Sequence, residues 1–237
     1  MKFFLLTVCF VITTSFVLAQ TTTWSVNINP TVSYRIAPVP TSSPQAETIQ
    51  SSEKAIHTFD FGLDIRTQLN KRFSLGAGLY YSKKGFSNTR AAVVYNQPGL
   101  HSTYVVDFLQ DYLDIPLFIT YTLAEQKKLK WYALVGINNS LLLHEKNEIG
   151  VRSAEFSTRD IPPATRALLS QPYLQAAQPY GIGIVGGWGV TAQVDCRTLV
   201  GLEALGKGML TPVEDVVSGS ERRSYAVGLN FRFVRKL

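Results

Sequence analysis

From Trp24 to Ile36 the chain alternates without a break. Trp24, Val26, Ile28, Pro30, Val32, Tyr34 and Ile36 are apolar or aromatic, and Ser25, Asn27, Asn29, Thr31, Ser33 and Arg35 between them are polar. Successive side chains of a strand point to opposite faces, so a period of two predicts a strand with one greasy and one wet face. The pattern recurs seven more times. The second run is Thr58 to Leu69, with Phe59, Phe61, Leu63 and Ile65 opposite Asp60, Asp64 and Arg66. The third is Phe73 to Lys83, the fourth Asp111 to Leu123, and the fifth Trp131 to about Leu143, where the pattern blurs at Asn139. The sixth is Tyr180 to Val194, the seventh Thr198 to about Gly206, and the eighth carries Tyr225, Val227, Leu229, Phe231 and Phe233 on one face.

The connections alternate in length. Short turns are expected at Asn70-Lys71-Arg72, Ala124 to Lys130 and Asp195 to Arg197. Long connections follow runs one, three, five and seven. Inside Lys84 to Gln110, two β-rich stretches flank Asn96-Gln97-Pro98-Gly99, a good turn sequence, so strands three and four are expected to continue as a projecting hairpin. His144 to Pro179 is read as the longest loop, with a short helix over Ala164 to Leu169 after Pro162-Pro163, and Lys207 to Arg223 as the last.

Eight amphipathic strands with this alternation predict an all-β fold: an eight-stranded antiparallel up-and-down transmembrane β-barrel with short periplasmic turns and four long extracellular loops. The alternative is a soluble barrel that turns its greasy face inward around an apolar pocket. Size separates the two. An eight-stranded barrel is only wide enough for side chains to fill, and bulky Trp, Phe and Leu from every strand would overfill it. The wet face, rich in glycine, carries Arg35, Asp60, Asp64, Arg66, Asp114, Glu203 and Arg232. Their charges nearly balance, which suits a paired, structural network in a plugged lumen. Aromatics cluster toward the strand ends of the greasy face. Trp24, Phe73, Tyr121, Trp131 and Phe233 are expected at the periplasmic membrane interface, and Tyr34, Phe59, Tyr81, Tyr180 and Tyr225 at the outer one. Trp188 sits mid-strand and does not fit either belt.

The N-terminus changes the count. Met1-Lys2, an apolar stretch to Leu18 and small residues at Val17-Leu18-Ala19 read as a secretory signal peptide over 1–19, cut before Gln20, which leaves a barrel domain over 20–237. A membrane anchor is the rival reading, disfavoured because the run is short for a spanning helix. Only Cys196 remains after cleavage, so no internal disulfide is expected. No Cys/His cluster suggests a metal, and no cofactor is expected. Removing Lys2 from the 23 basic residues leaves a modest excess over 17 acidic ones. With the charges scattered, nucleic acid is not an expected partner. The glycines from Gly181 to Gly189 lie in a strand pattern with no helix after them, so they do not form a phosphate loop; they relieve crowding or let the sheet bend.

His57, His101 and His144 all fall at or above the outer rim on this topology. With His101-Ser102 and His144-Glu145 as neighbours they frame a second possibility, a lipid-modifying enzyme, against the simpler reading of solvated loop histidines.

Tyr112-Leu113-Asp114-Ile115-Pro116-Leu117, a turn, and Trp131-Tyr132-Ala133-Leu134-Val135-Gly136 together resemble the PorT-like outer-membrane β-barrel family of Gram-negative bacteria, with Asp114 where that family usually has Glu. Gly228 to Phe233 resembles the family's terminal strand. The resemblance implies outer-membrane location and, through the family's namesake, a part in protein secretion or surface attachment. It transfers no catalytic residue. The expected role is structural or binding, not enzymatic. The expected partners are outer-membrane lipid and envelope or secreted proteins met through the extracellular loops.

Overall fold

The computed structural model describes residues 21–36, 53–93, 101–151, 179–214 and 221–237. Eight long strands run through them: β1 Thr21–Ile36, β2 Ile56–Gln68, β3 Phe73–Val93, β4 His101–Gln126, β5 Leu129–Val151, β6 Tyr180–Gln193, β7 Thr198–Met209 and β8 Glu221–Lys236. Two-residue strands at Glu53–Lys54 and Val213–Glu214 pair with β3 and β8. Each long strand is antiparallel to its neighbour in the chain, and β8 returns to pair with β1 from Thr23↔Lys236 to Ile36↔Arg223. The sheet is therefore closed, which leaves no free edge in its wall. No helix occurs among the described residues. The signal peptide expected over 1–19, the turn expected at Asn96–Gly99 and the helix expected over Ala164–Leu169 lie outside them.

Local chemistry explains several details of the wall. Pro30 has no N–H to donate, and it lies where the β1–β8 pairing is interrupted between Ile28↔Phe231 and Thr31↔Gly228, with the register unchanged. Two short turns use the same device. Asn70 Oδ1 accepts the N–H groups of Arg72 and Phe73, both at 2.9 Å, and Asp195 Oδ1 accepts those of Arg197 and Thr198, both at 2.7 Å. The β4–β5 turn is tighter than the sequence suggests. Pairing persists to Gln126↔Leu129, leaving Lys127 and Lys128 at the tip, with Lys127 at φ 45°.

The opposite end is uneven. β3 and β4 stay paired as far as Val93↔His101, and β4 and β5 as far as Tyr104↔Val151. The projecting hairpin is present and has a third strand. The fifth strand therefore runs on to Val151 instead of ending near Leu143. Asp111 pairs with His144 and Tyr112 with Leu142, so Leu143 is an extra, bulged residue. A bulge swaps inward and outward positions, and a period-two reading stops there. In the same way β7 runs to Met209 and β8 begins at Glu221, which shortens the last loop from both sides. The blur at Asn139 has another cause. Alternation holds through it, with Asn138 and Ser140 inside; Asn139 faces out, where its amide donates to the Ile115 carbonyl at 3.3 Å and its Oδ1 accepts the Tyr180 hydroxyl at 2.7 Å.

The partition of side chains is inverted relative to a soluble protein. Asp64, Asp114 and Glu203 are almost wholly buried, while Ile28, Leu63, Val135, Ile184, Trp188 and Phe231 each show about half of their surface or more. Exposed apolar area on this scale marks a surface that meets something other than water. The interior is less purely polar than the sequence suggests. Tyr80, Phe118, Tyr132, Leu134 and Val185 are buried within it, and Phe86, Phe108 and Tyr112 fill its loop end. Inward glycines make the room. A Cβ on Gly62 or Gly78 would meet the Tyr80 ring, one on Gly76 or Gly136 would meet Phe118, and one on Gly189 would meet Glu203 and Tyr132. Trp188 is accommodated on the outer face by small residues, since its register partners are Ala133 and Ala204.

Candidate functional site in the barrel interior

The inward faces of β2, β7 and β8 bring four charges together toward the short-turn end. Arg232 on β8 donates Nη2 to Asp64 Oδ1 at 3.0 Å and Nη1 to Glu203 Oε1 at 3.2 Å. Arg66 on β2 donates Nη2 to Glu203 Oε1 at 2.7 Å and has Nε at 3.3 Å from Asp64 Oδ1. Neutral donors complete the shell. Asp64 accepts from Ser25 at 2.8 Å, Asn27 at 3.1 Å and the Tyr80 hydroxyl at 3.0 Å. Glu203 accepts from the Tyr132 hydroxyl and from Asn230 Nδ2, both at 2.7 Å. Arg66 also lies over the rings of Phe118 and Tyr132, at 4.7 and 5.5 Å from their centroids. Two carboxylates and two guanidinium groups give a layer of zero net charge.

A second layer lies nearer the loops. Lys207 on β7 reaches Asp60 Oδ2 at 2.7 Å and Asp114 Oδ2 at 3.5 Å. Lys84 on β3 donates to Asp114 Oδ1 and to Ser140 Oγ, both at 3.0 Å. Ser140 in turn donates to Asp114 Oδ1 at 2.6 Å, and Asn29 donates to Asp60 Oδ2 at 3.0 Å. This layer is also neutral. Above it, Arg35 lies over the Phe86 ring, 3.7 Å from the centroid.

Six of the seven charged residues expected in the lumen thus lie in one or other layer, and Arg35 is buried above them. Lys84 and Lys207 were not anticipated, although inward parity continues to them from Ser82 and from Glu203. Spaces within the plug are small. One of about 30 Å³ lies between the layers, bounded by Asn29, Arg66, Tyr80, Glu203 and Lys207, and one of about 10 Å³ lies beside Lys84 and Lys207. The larger has room for a water molecule or two. A wider cavity of about 200 Å³ opens at the short-turn end, over Arg66 and Arg232. No group of His, Cys, Asp and Glu suited to a metal ion occurs among the described residues, and Cys196 is a free, exposed thiol.

The expected interface aromatics are on the outer face. Tyr34 and Tyr225 are register partners and stack at 5.6 Å, Phe73 and Tyr121 pair at 5.0 Å, and Phe59 lies 6.4 Å from Tyr81. Trp131, Tyr180 and Phe233 are exposed there, and Trp24 is half-buried beside the chain end, opposite Arg235. Of the histidines, His57 and His144 are exposed and face outward on β2 and β5, with β3 and β4 between them. The side chain of His101 lies outside those described.

A closed antiparallel barrel with ion pairs inside and an apolar wall outside is a transmembrane β-barrel. The chain belongs to the outer membrane protein beta-barrel domain family, whose model matches residues 18–190. It is similar in structure to the outer membrane protein OprG from Pseudomonas aeruginosa, with 10% identity, TM-score 0.46, and 92% of this chain and 97% of that one covered. Neisserial surface protein A gives 14% identity, TM-score 0.38, and 88% and 95% coverage. The outer membrane protease OmpT from Escherichia coli gives 9% identity, TM-score 0.44, and 92% and 97% coverage. No curated protein sequence matches the chain.

Proposed function

We propose that this outer-membrane barrel is a non-conducting scaffold whose working surface is its loop end. The short turns would face the periplasm and the long loops the exterior, with residues 1–19 removed as the export signal. The observation that carries the reading is the doubly braced interior. Two neutral layers of ion pairs cross the lumen, and the space described between them is about 30 Å³. A barrel filled in this way supplies rigidity, and recognition falls to the segments it carries. The projecting sheet of β3, β4 and β5 is the largest such platform among the described residues. The fitting partners are envelope or secreted proteins met outside the cell. Trp24, Phe73, Tyr121, Trp131 and Phe233 then form the periplasmic aromatic belt, and Tyr34, Phe59, Tyr81, Tyr180 and Tyr225 the outer one.

Planar-bilayer recording on the folded protein tests this. Silent bilayers are expected, and reproducible ohmic steps would overturn the plugged reading. A role beside a secretion or surface-attachment system rests on the PorT-like strand motif. Inside the barrel, however, Asp114 and Tyr112 of that motif serve packing: Asp114 holds Lys84, whose ammonium lies 4.3 Å from the Tyr112 ring centroid. Comparing the secreted proteins of a deletion strain with wild type decides whether the motif carries more than fold. The enzyme reading has less support, because His57 and His144 stand on separated strands; an altered lipid profile in the deletion strain would revive it.

A further inference from the structure

The wide cavity at the short-turn end has a chemistry the scaffold reading does not use. Its volume is about 200 Å³, and Lys127, Lys128, Lys130 and Lys236 line it above the guanidinium groups of Arg66 and Arg232. Those two arginines are matched by Asp64 and Glu203 beneath. The four lysines face one acid in the cavity wall, Glu125, which is the register neighbour of Lys130. The mouth therefore carries a surplus of three positive charges.

Two further observations point to a ligand. The hydroxyl of Thr120 is buried in the cavity wall with no hydrogen-bond partner, while its residue is only 6% exposed. Buried hydroxyls without partners are uncommon, and this one belongs to a residue in the wall of a cationic cavity. The second is the tip of the β4–β5 turn. Lys127 holds φ 45°, a conformation that glycine or asparagine adopts at less cost in a two-residue hairpin turn. Strain of this kind, kept where a cheaper residue would serve, fits a side chain that is needed there.

We propose that this mouth binds a phosphate-class oxyanion. Several ammonium groups around one cavity, with a hydroxyl donor in its wall, suit a compact anion with several oxygens and more than one negative charge. The phosphate is either free in the periplasm or carried by an anionic phospholipid of the inner leaflet. The facing direction rests on the orientation proposed above; the site itself does not.

The test uses the full-length protein folded in a zwitterionic detergent and in nanodiscs. Inorganic phosphate is titrated by calorimetry at fixed ionic strength against a chloride control. Binding to phosphatidylglycerol is read as lipid retained by the purified protein against phosphatidylcholine. Saturable phosphate binding assigns a free oxyanion, and selective phosphatidylglycerol retention assigns the headgroup; either supports the site. The paired substitution Lys130→Ala with Lys236→Ala should weaken binding by about tenfold or more, the scale of losing two charge-assisted contacts. Thr120→Val should weaken it by a smaller factor, and Lys71→Ala, outside the cavity, should leave it unchanged. Heat-modifiable gel mobility confirms that each variant is folded. Absence of both binding modes, or equal binding by the Lys130/Lys236 variant, overturns the proposal.

Discussion

The two layers of the plug balance the same charges with different chemistry. The layer near the short turns is built on arginine, and the layer near the loops on lysine. Arg232 forks across Asp64 and Glu203 and also donates to Ser25, Asn27 and the Tyr132 hydroxyl. It ties strands β1, β2, β5, β7 and β8 to one planar group. Lys84 and Lys207 are point charges, each holding one carboxylate closely and sharing Asp114 between them. Guanidinium is planar and presents several fixed donors, whereas an ammonium can swing on a flexible stem. The arginine layer is therefore the rigid brace of the barrel, and the lysine layer a looser filling beneath the loops.

Four measurements break or sharpen that contrast, each read as the change in urea unfolding of the folded protein in micelles or vesicles. Arg232→Ala should cost most, about 3–5 kcal/mol, because it leaves two buried carboxylates to share Arg66 and opens the hydrogen bonds to Ser25, Asn27 and Tyr132 at once. Lys84→Ala should cost about 2 kcal/mol, since Asp114 keeps Lys207 and Ser140. A loss equal to that of Arg232→Ala would show that the two layers brace the barrel alike. Arg232→Lys keeps the charge and loses the fork; a penalty of about 1–2 kcal/mol is expected, and no penalty would mean that geometry contributes nothing. Asp195→Ala lies outside both layers and should have the smallest effect. The Arg197 and Thr198 N–H groups hold the Asp195 carboxyl below its ordinary value of 3.8. The stabilisation is then present at neutral pH and lost as the pH falls through the folded value. The difference between Asp195→Ala and wild type should accordingly fade on acidification, and a difference that persists would assign it to something other than the carboxylate.

The contrast also divides what the sequence made legible. Asp64, Arg66, Glu203 and Arg232 stand inside clean alternating runs, so their inward direction follows from parity alone. Lys84 and Lys207 stand one residue beyond the points where the third and seventh runs were closed, at Lys83 and Gly206. Parity carried through would have placed both in the lumen. What periodicity cannot supply is who meets whom. The contact between Arg66 and Glu203 spans the lumen between β2 and β7, and depends on how far the closed sheet is sheared. The aromatic filling was hidden for a related reason. Tyr80, Phe118 and Tyr132 are read as bulky until the glycines facing them across the register are known. The bulge at Leu143 shows the limit of parity, since one extra residue reverses every assignment beyond it.

The order in which contacts become available follows from Arg232. It belongs to the last strand, yet its partners are Ser25 and Asn27 on the first and Asp64 on the second. Until β8 arrives, β1 has an open edge, and Asp64 and Glu203 lack one of their two arginines. The seam and the brace are completed by the same strand. Assembly is therefore a late, concerted event that waits on contacts distant in sequence, the condition that makes folding slow. A chain built this way gains little from folding its first half early.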